Sequence, residues 1–204
     1  KIGQDLSLMI PYLKLPDFET QTTDIVVRGE LIIKKQTFDT KYRKKFANPR
    51  NFVSGAANAK KMNPKMVSDI DFLAYEVVSP VMKPSDQMKF LKTHFKNTAI
   101  KHVIAPHTKV NAKFLSEKLL DWRENYDWEM DGVVVYHDEL HPRKTGNPKH
   151  AFAFKMVLSD QIVESRVYDV IWNPSKDGYL KPKIQIEPVK IGGAKIEFAT
   201  AHNA

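Results

Sequence analysis

Residues 129–155 hold the groups best placed to do chemistry. They read Glu129-Met130-Asp131-Gly132-Val133-Val134-Val135-Tyr136, then a polar loop with Pro142, Gly146 and Pro148, then His150-Ala151-Phe152-Ala153-Phe154-Lys155. One β-rich run opens at Asp131 and the other closes at Lys155. Strand ends hold side chains rigidly, so a carboxylate and an ammonium placed there can share one pocket. Binding and transferring a phosphate-bearing group needs such an arrangement. A lysine that interrupts a Phe-Ala-Phe run also needs an anionic partner, because burying a bare ammonium is costly.

Four further residues have a chemical reading beside a structural one. Glu30, in Arg28-Gly29-Glu30, can accept hydrogen bonds from ribose hydroxyls, or be a surface charge on a half-exposed strand. Arg50, in Asn48-Pro49-Arg50-Asn51, stands at a turn into a helix N-terminus, where backbone N–H groups and a planar fork of donors suit phosphate; an ordinary capped turn has the same pattern. Tyr75 can stack on a base or pack in a core. Arg123 closes the helix before Asp131 and can point into the same cleft or away from it. His137 and His141 stand four apart, a metal-binding spacing on a helix. Pro142 and the preceding apolar run place them in a loop instead. No residue is assigned as a metal ligand.

These groups need elements to hold them. Alternation and Ile/Val content predict strands over 24–33, 71–78, 132–136 and 150–157. A short helix fits 51–60. A second starts at Ser85 as N-cap, with an apolar period at Met88, Leu91 and Phe95. A third starts near Asn111, with Phe114, Leu115, Leu119, Leu120 and Trp122 as its buried stripe. Residues 34–65 read as basic and polar, with turns at Asn48-Pro49 and Asn63-Pro64. After Ser159 the character becomes all-β, with runs at 161–172, 182–189 and 194–200 separated by turns at Asn173-Pro174, Lys176-Asp177-Gly178 and Gly192-Gly193.

The bulk properties narrow the partners. The chain has 204 residues, 42% hydrophobic and 27% charged, which fits a globular protein rather than a disordered one. No run approaches the eighteen or so apolar residues of a membrane span, so no membrane partner is expected. There is no cysteine, which excludes disulfides, thiol catalysis and thiolate zinc sites. The net charge is +8 and the pI about 9.4, which favours an anionic partner such as nucleic acid. Lys34, Lys35, Lys41, Arg43, Lys44, Lys45, Arg50, Lys60 and Lys61 crowd one stretch in which Asp39 is the single acid.

In combination the segments resemble NAD-dependent DNA ligases. Val27-Arg28-Gly29-Glu30-Leu31, Phe46-Ala47-Asn48-Pro49-Arg50-Asn51, Met130-Asp131-Gly132-Val133-Val134-Val135 and Ala151-Phe152-Ala153-Phe154-Lys155 occur in that family's order. Gly3-Gln4-Asp5-Leu6-Ser7 is similar to an early stretch of its adenylation domain. Gly178-Tyr179-Leu180-Lys181-Pro182, Ile186-Glu187-Pro188-Val189 and Ala199–Ala204 resemble the start of its OB-fold domain. The resemblance implies an α+β fold: a nucleotidyltransferase (adenylation) core over residues 1–158, then a truncated OB-fold β-barrel over 159–204. It implies nick sealing in duplex DNA by adenylyl transfer, with NAD and magnesium (Mg2+) as cofactors. It assigns Asp131 and Lys155 to the catalytic network, and Glu30, Arg50, Tyr75, Arg123 and Lys155 to the nucleotide. Arg50 and Lys176 would face DNA. A cytoplasmic setting, bacterial, phage or viral, is implied.

Three departures qualify this. The family's nucleophilic lysine lies in a Lys-x-Asp-Gly motif, expected upstream of Gly3 and not found in these residues. The chain is therefore expected to be a fragment, or one subunit of a split ligase whose partner brings that motif, and to be unable to adenylylate itself. The strand from Asp131 ends in Tyr136 where the family has a lysine, which is expected to remove an ammonium near the phosphate. Asn58 stands near a position often held by arginine. The alternative is a degenerate, non-catalytic homologue that holds DNA.

Overall fold

The computed structural model describes residues 3–16, 24–95, 100–142, 146–156, 162–191 and 194–201. The chain divides into two compact units, Lys1–Met156 and Val157–Ala204.

In the first unit, β1 (Val26–Ile32) pairs antiparallel with β2 (Asp71–Ser79). The alternation that predicts both strands is visible in their burial. Leu73 and Val77 are buried on β2, while Arg28 and Glu30 lie on the exposed face of β1. The pairing is not regular. Arg28 faces Glu76 and Gly29 faces Ala74, so Tyr75 is the extra residue of a bulge. Bulges re-aim side chains, and Tyr75 projects out of the sheet, 40% exposed. Gly29 is needed at the crossing. A Cβ there would sit 2.5 Å from the Phe72 ring and 2.7 Å from the Leu73 carbonyl oxygen.

Three helices lie between these strands. α1 (Lys35–Lys41) falls inside the 34–65 stretch read as basic and polar, and α3 (Pro64–Val67) begins at its end. Each buries one apolar residue, Phe38 or Val67, too few to show a period. α2 (Pro49–Ala57) overlaps the expected 51–60 helix, starting two residues earlier and ending three earlier. Asn48 caps it by accepting from Asn51 N–H at 2.8 Å, and Pro49 occupies the first turn. Phe38, Phe52 and Ala56 pack with Ile33, Val67 and Ile70, and Tyr42 and Phe46 close around the Phe52 ring. The Tyr42 hydroxyl donates to Asp69 at 2.7 Å; burial and that carboxylate push its pKa up to about 12.

α4 (Pro84–His94) buries Leu91 against Ala74 and Val77 of β2. Its start corrects the sequence expectation. Ser85 is not the N-cap; it lies inside the first turn, buried, and the cap position is Lys83, whose side chain makes no capping bond. The carboxylate comes from far along the chain. Asp138 accepts from Ser85 N–H at 2.7 Å, with Lys83 Nζ 3.9 Å away. α5 (Ala112–Glu124) is capped by Asn111, which accepts from Phe114 N–H at 3.0 Å. Leu115 and Leu119 are buried and Phe114 and Trp122 partly so, but Leu120 is 46% exposed and leaves the expected stripe. β3 (Gly132–Tyr136) and β4 (Ala151–Lys155) form a hairpin whose Val133, Val135 and Phe154 pack on α5.

In the second unit, β5 (Val167–Pro174), β6 (Leu180–Ile191) and β7 (Ala194–Thr200) form an antiparallel sheet in that order. β5 runs through Asn173-Pro174, so the turn lies later, at Ser175–Tyr179, with Gly178 at φ +81° where a left-handed residue is required. Every β5 residue is exposed, including Tyr168 and Trp172. The boundary expected at 158–159, the turn at Gly192-Gly193 and residues 202–204 lie outside the described residues.

The Asp138 cap has a pH signature. The Ser85 N–H bond holds the Asp138 carboxyl below its ordinary value of 3.8. A depressed folded pKa makes the cap fully effective above that value, and its contribution fades as the pH falls through the folded one. Asp138→Ala is expected to cost about 1 kcal/mol at pH 7, a fall of a few degrees in Tm. The gap from the parent chain should close in melts recorded progressively below pH 4.

Candidate functional site

The approach to Asp131 is set by backbone pairing and one buried hydrogen bond. Lys35 N–H donates to the Asp127 carbonyl at 2.8 Å, and Lys34 bridges to Trp128. Trp128, 4% exposed, donates its indole N–H to Asp71 at 2.9 Å. Arg123 Nε donates to the Met130 carbonyl at 3.0 Å, while Lys35 Nζ donates to the Arg123 carbonyl at 3.0 Å. Arg123 thus anchors the residue before Asp131.

Asp131 has two cationic neighbours. Its carboxylate lies 3.6 Å from the Arg50 guanidinium and 3.9 Å from Lys155 Nζ. All three side chains are largely exposed, so Lys155 escapes the desolvation that its sequence setting suggests. Glu129 joins this end: its packing and then the negative charges of Asp131 and Asp39 raise its pKa, while Lys35 and Arg43 pull it down. Sequence reasoning passed over Glu129, although its place two residues before Asp131 was the available signal.

Register defines the rest of the surface. Gly132 faces Lys155, Val134 faces Ala153, and Tyr136 faces Ala151. Directly opposed residues share a face, so one face of the hairpin is a floor of Gly132, Val134, Ala153 and Ala151. Lys155 stands at one end and Tyr136 at the other. Four strand steps separate the ends, about 13 Å. Tyr136 thus lies at the far end of the floor from Lys155. There its hydroxyl is raised in pKa by burial, then by Glu76 and Tyr75, against a lowering by Arg28. Arg28 itself pairs with Glu76 at 2.9 Å. Tyr136 therefore sits beside the bulge that projects Tyr75.

The structure gathers Arg50, Asp131, Lys155 and Arg123 at one end of the floor, and Tyr75 near Tyr136 at the other. Glu30 lies two residues from Arg28 on the exposed face of β1. Lys176 is exposed in the turn between β5 and β6, in the other unit. Asn58 is the C-cap of α2, its side chain donating to the Ser54 carbonyl at 2.8 Å. His137 Nδ1 lies 3.2 Å from His141 Nε2, and the His141 ring stacks on His150 at 3.9 Å. Among the described residues no group of three His, Asp or Glu side chains could hold a metal ion.

Comparison with known proteins shows the family. The family model described as NAD-dependent DNA ligase adenylation domain matches residues 8–158. The chain belongs to that family. It is 33% identical to a DNA ligase of Acanthamoeba polyphaga mimivirus, a match covering 99% of this chain and 32% of that protein. It is 27% identical to a DNA ligase of Natranaerobius thermophilus, over 98% of this chain and 32% of that protein. The chain spans about a third of the length of the curated relatives it matches. No helix among the described residues is long and apolar enough to cross a membrane.

Gly132 leaves no room for a side chain. A Cβ there would sit 2.5 Å from the Phe154 carbonyl oxygen and 2.8 Å from Lys155 Cγ. Backbone cannot yield without opening the hairpin ladder. Gly132→Ala is expected to destabilise the first unit by about 1–3 kcal/mol, measured by denaturant unfolding. An unchanged midpoint would refute the close packing.

Proposed function

We propose that the chain is part of an NAD-dependent DNA ligase that seals nicks in duplex DNA by adenylyl transfer. The supporting observation is Asp131 beside Arg50 and Lys155 at one end of a floor of small residues, with aromatic side chains at the other. A mononucleotide lying along that floor has its phosphate at Lys155 and its base at Tyr75. Glu30, on β1, accepts from the ribose hydroxyls, and Tyr75 stacks on adenine. The second unit is the opening of an OB-fold barrel. Lys176 there and Arg50 here face DNA, with the exposed Lys44, Lys45, Lys60 and Lys61 adding attraction for the duplex.

The chemistry is three in-line displacements at phosphorus. A lysine nitrogen attacks the adenylyl phosphorus of NAD, forming a P–N bond and releasing nicotinamide mononucleotide. The DNA 5′-phosphate then takes the adenylyl group and frees the lysine. The DNA 3′-hydroxyl finally attacks that 5′-phosphate and expels AMP. Lys155 and Arg50 hold the phosphate oxygens and neutralise charge that grows at the transition state. Arg123 keeps Asp131 in place through Met130. Magnesium fits only as an ion sharing Asp131 with water and phosphate oxygens, the way this ion is commonly held; it would add charge neutralisation.

The attacking lysine comes from outside these 204 residues, in a preceding segment or a partner subunit carrying Lys-x-Asp-Gly. A second reading is a homologue that holds DNA without chemistry, with Tyr136 standing where the family has a lysine. Supplying the motif separates the two. With it, NAD should support nick sealing and ATP should not. Lys155→Ala should then lower sealing at least a hundredfold. Failure of every such mixture to seal would favour the second reading. The 204-residue chain by itself should take up no label from adenylate-labelled NAD; covalent labelling would sink that claim.

A further inference from the structure

The β3–β4 hairpin carries three histidines just beyond its ladder, and the proposed adenylyl transfer makes no use of them. His137 N–H donates to the His150 carbonyl at 2.9 Å, which extends the pairing by one step. Glu139 N–H then donates back to the His137 carbonyl at 2.9 Å, a tight turn that folds the chain onto itself. The four-residue spacing of His137 and His141 is thereby closed by a loop rather than by a helix. His137 Nδ1 comes to 3.2 Å from His141 Nε2. The His141 ring lies flat on His150, with 3.9 Å between centroids and 8° between planes, and this stacking sets its orientation. Glu139 Oε2 stands 3.8 Å from His137 Nδ1. His137 and Glu139 are exposed and His141 is half-buried, so water reaches the two facing nitrogens.

We propose that His137 and His141 form a two-imidazole chelate for a divalent transition-metal ion such as Zn2+, bound through His137 Nδ1 and His141 Nε2 with water completing the shell. Zinc–imidazole bonds are about 2.0–2.1 Å long, so nitrogens at this separation subtend roughly 100° at the ion, between the octahedral and tetrahedral angles. Without the ion, one ring donates its N–H to the other across the same gap. A neutral imidazole carries its hydrogen on either nitrogen. The donor ring therefore becomes a ligand by moving that hydrogen to its other nitrogen, with no net loss of a proton. His150 is not a third ligand: its ring is parallel to His141, so the lone pairs of the two rings lie in separate planes and do not converge. The Glu139 carboxylate offsets part of the ion's charge. Imidazole nitrogen suits zinc, nickel and copper, whereas magnesium takes oxygen ligands and is excluded. The chelate brackets Asp138, the residue that caps α4 through Ser85, so a bound ion steadies the join between the hairpin and that helix.

The experiment titrates zinc chloride and magnesium chloride into the 204-residue chain and into His137→Ala, His141→Phe and the control His102→Gln, by calorimetry. His141→Phe keeps a ring to stack on His150 while removing the ligand nitrogen. Zinc should bind the parent and the control alike, and each chelate variant about tenfold or more weakly. Zinc should also raise the parent's Tm by a few degrees at saturation, because only the folded chain holds the two rings together. Imidazole nitrogen NMR of the parent should show zinc-induced shifts at His137 Nδ1 and His141 Nε2. A chelate variant that binds zinc like the parent overturns the proposal, and so does a parent that binds none. Magnesium competing equally marks mere attraction to Glu139 and also refutes it. Should the variants not fold, the parent's spectra decide: shifts confined to other histidines overturn the assignment.

Discussion

A single buried hydrogen bond sets the position of the candidate site. The Asp71 carboxylate, 7% exposed at the start of β2, needs a donor, and the indole of Trp128 supplies it at 2.9 Å. An unpartnered buried carboxylate is unfavourable enough to hold its partner firmly. Trp128 stands three residues before Asp131. The bond therefore joins the sheet that carries Glu30 and Tyr75 to the segment that delivers Asp131. The Lys34–Trp128 bridge and the Arg123–Met130 bond pin the same segment from two more elements. Asp138 ties the hairpin to α4 from the other side, through Ser85. Two small sheets with no shared ladder are thus registered to one another by side-chain bonds together with one short backbone bridge.

What was legible in the sequence follows from this division. The strands were legible, because alternation is a local property and one buried face enforces it. α5 was legible through Asn111, though Leu120 showed how a stripe read from periodicity can run wider than the packed face. α1 and α3 were not, because each buries a single side chain. Ser85 misled for the same reason. The helix takes its capping carboxylate from residue 138, and no local pattern can announce a partner 53 positions away. The end-to-end separation of Tyr136 and Lys155 was available in principle from strand register.

The basic stretch changes meaning in the same way. Asp39 is the single acid within it, yet Lys34 pairs with Asp127 at 2.9 Å and Lys41 with Asp69 at 2.8 Å. Arg43 takes Asp39 itself at 2.8 Å. These exposed pairs add little stability. Their effect is to absorb part of the positive charge, so the field is less concentrated than the sequence implies. Asp127 and Asp69 come from loops that fold back onto α1, and Asp39 lies on α1 itself.

The two ends of the floor differ in how firmly they are built. At 3.6 and 3.9 Å, the contacts of Asp131 with Arg50 and Lys155 are longer than charge-assisted hydrogen bonds of 2.7–2.9 Å. Exposed, loose pairs reorganise at little cost, and a phosphate brings more acceptor oxygens than Asp131 offers. Arg50 and Lys155 can therefore turn from the carboxylate to an incoming phosphate. The Tyr75 end is fixed by a bulge and by the close approach of Gly29 to Phe72. A rigid aromatic end gives its contacts equally to ground and transition states, which favours binding. A mobile cationic end can tighten as charge builds on the phosphate, and only interactions that strengthen in this way speed the chemical step. On the adenylyl-transfer reading, selection of the base and acceleration of the transfer thus fall to opposite ends of one hairpin face, about 13 Å apart.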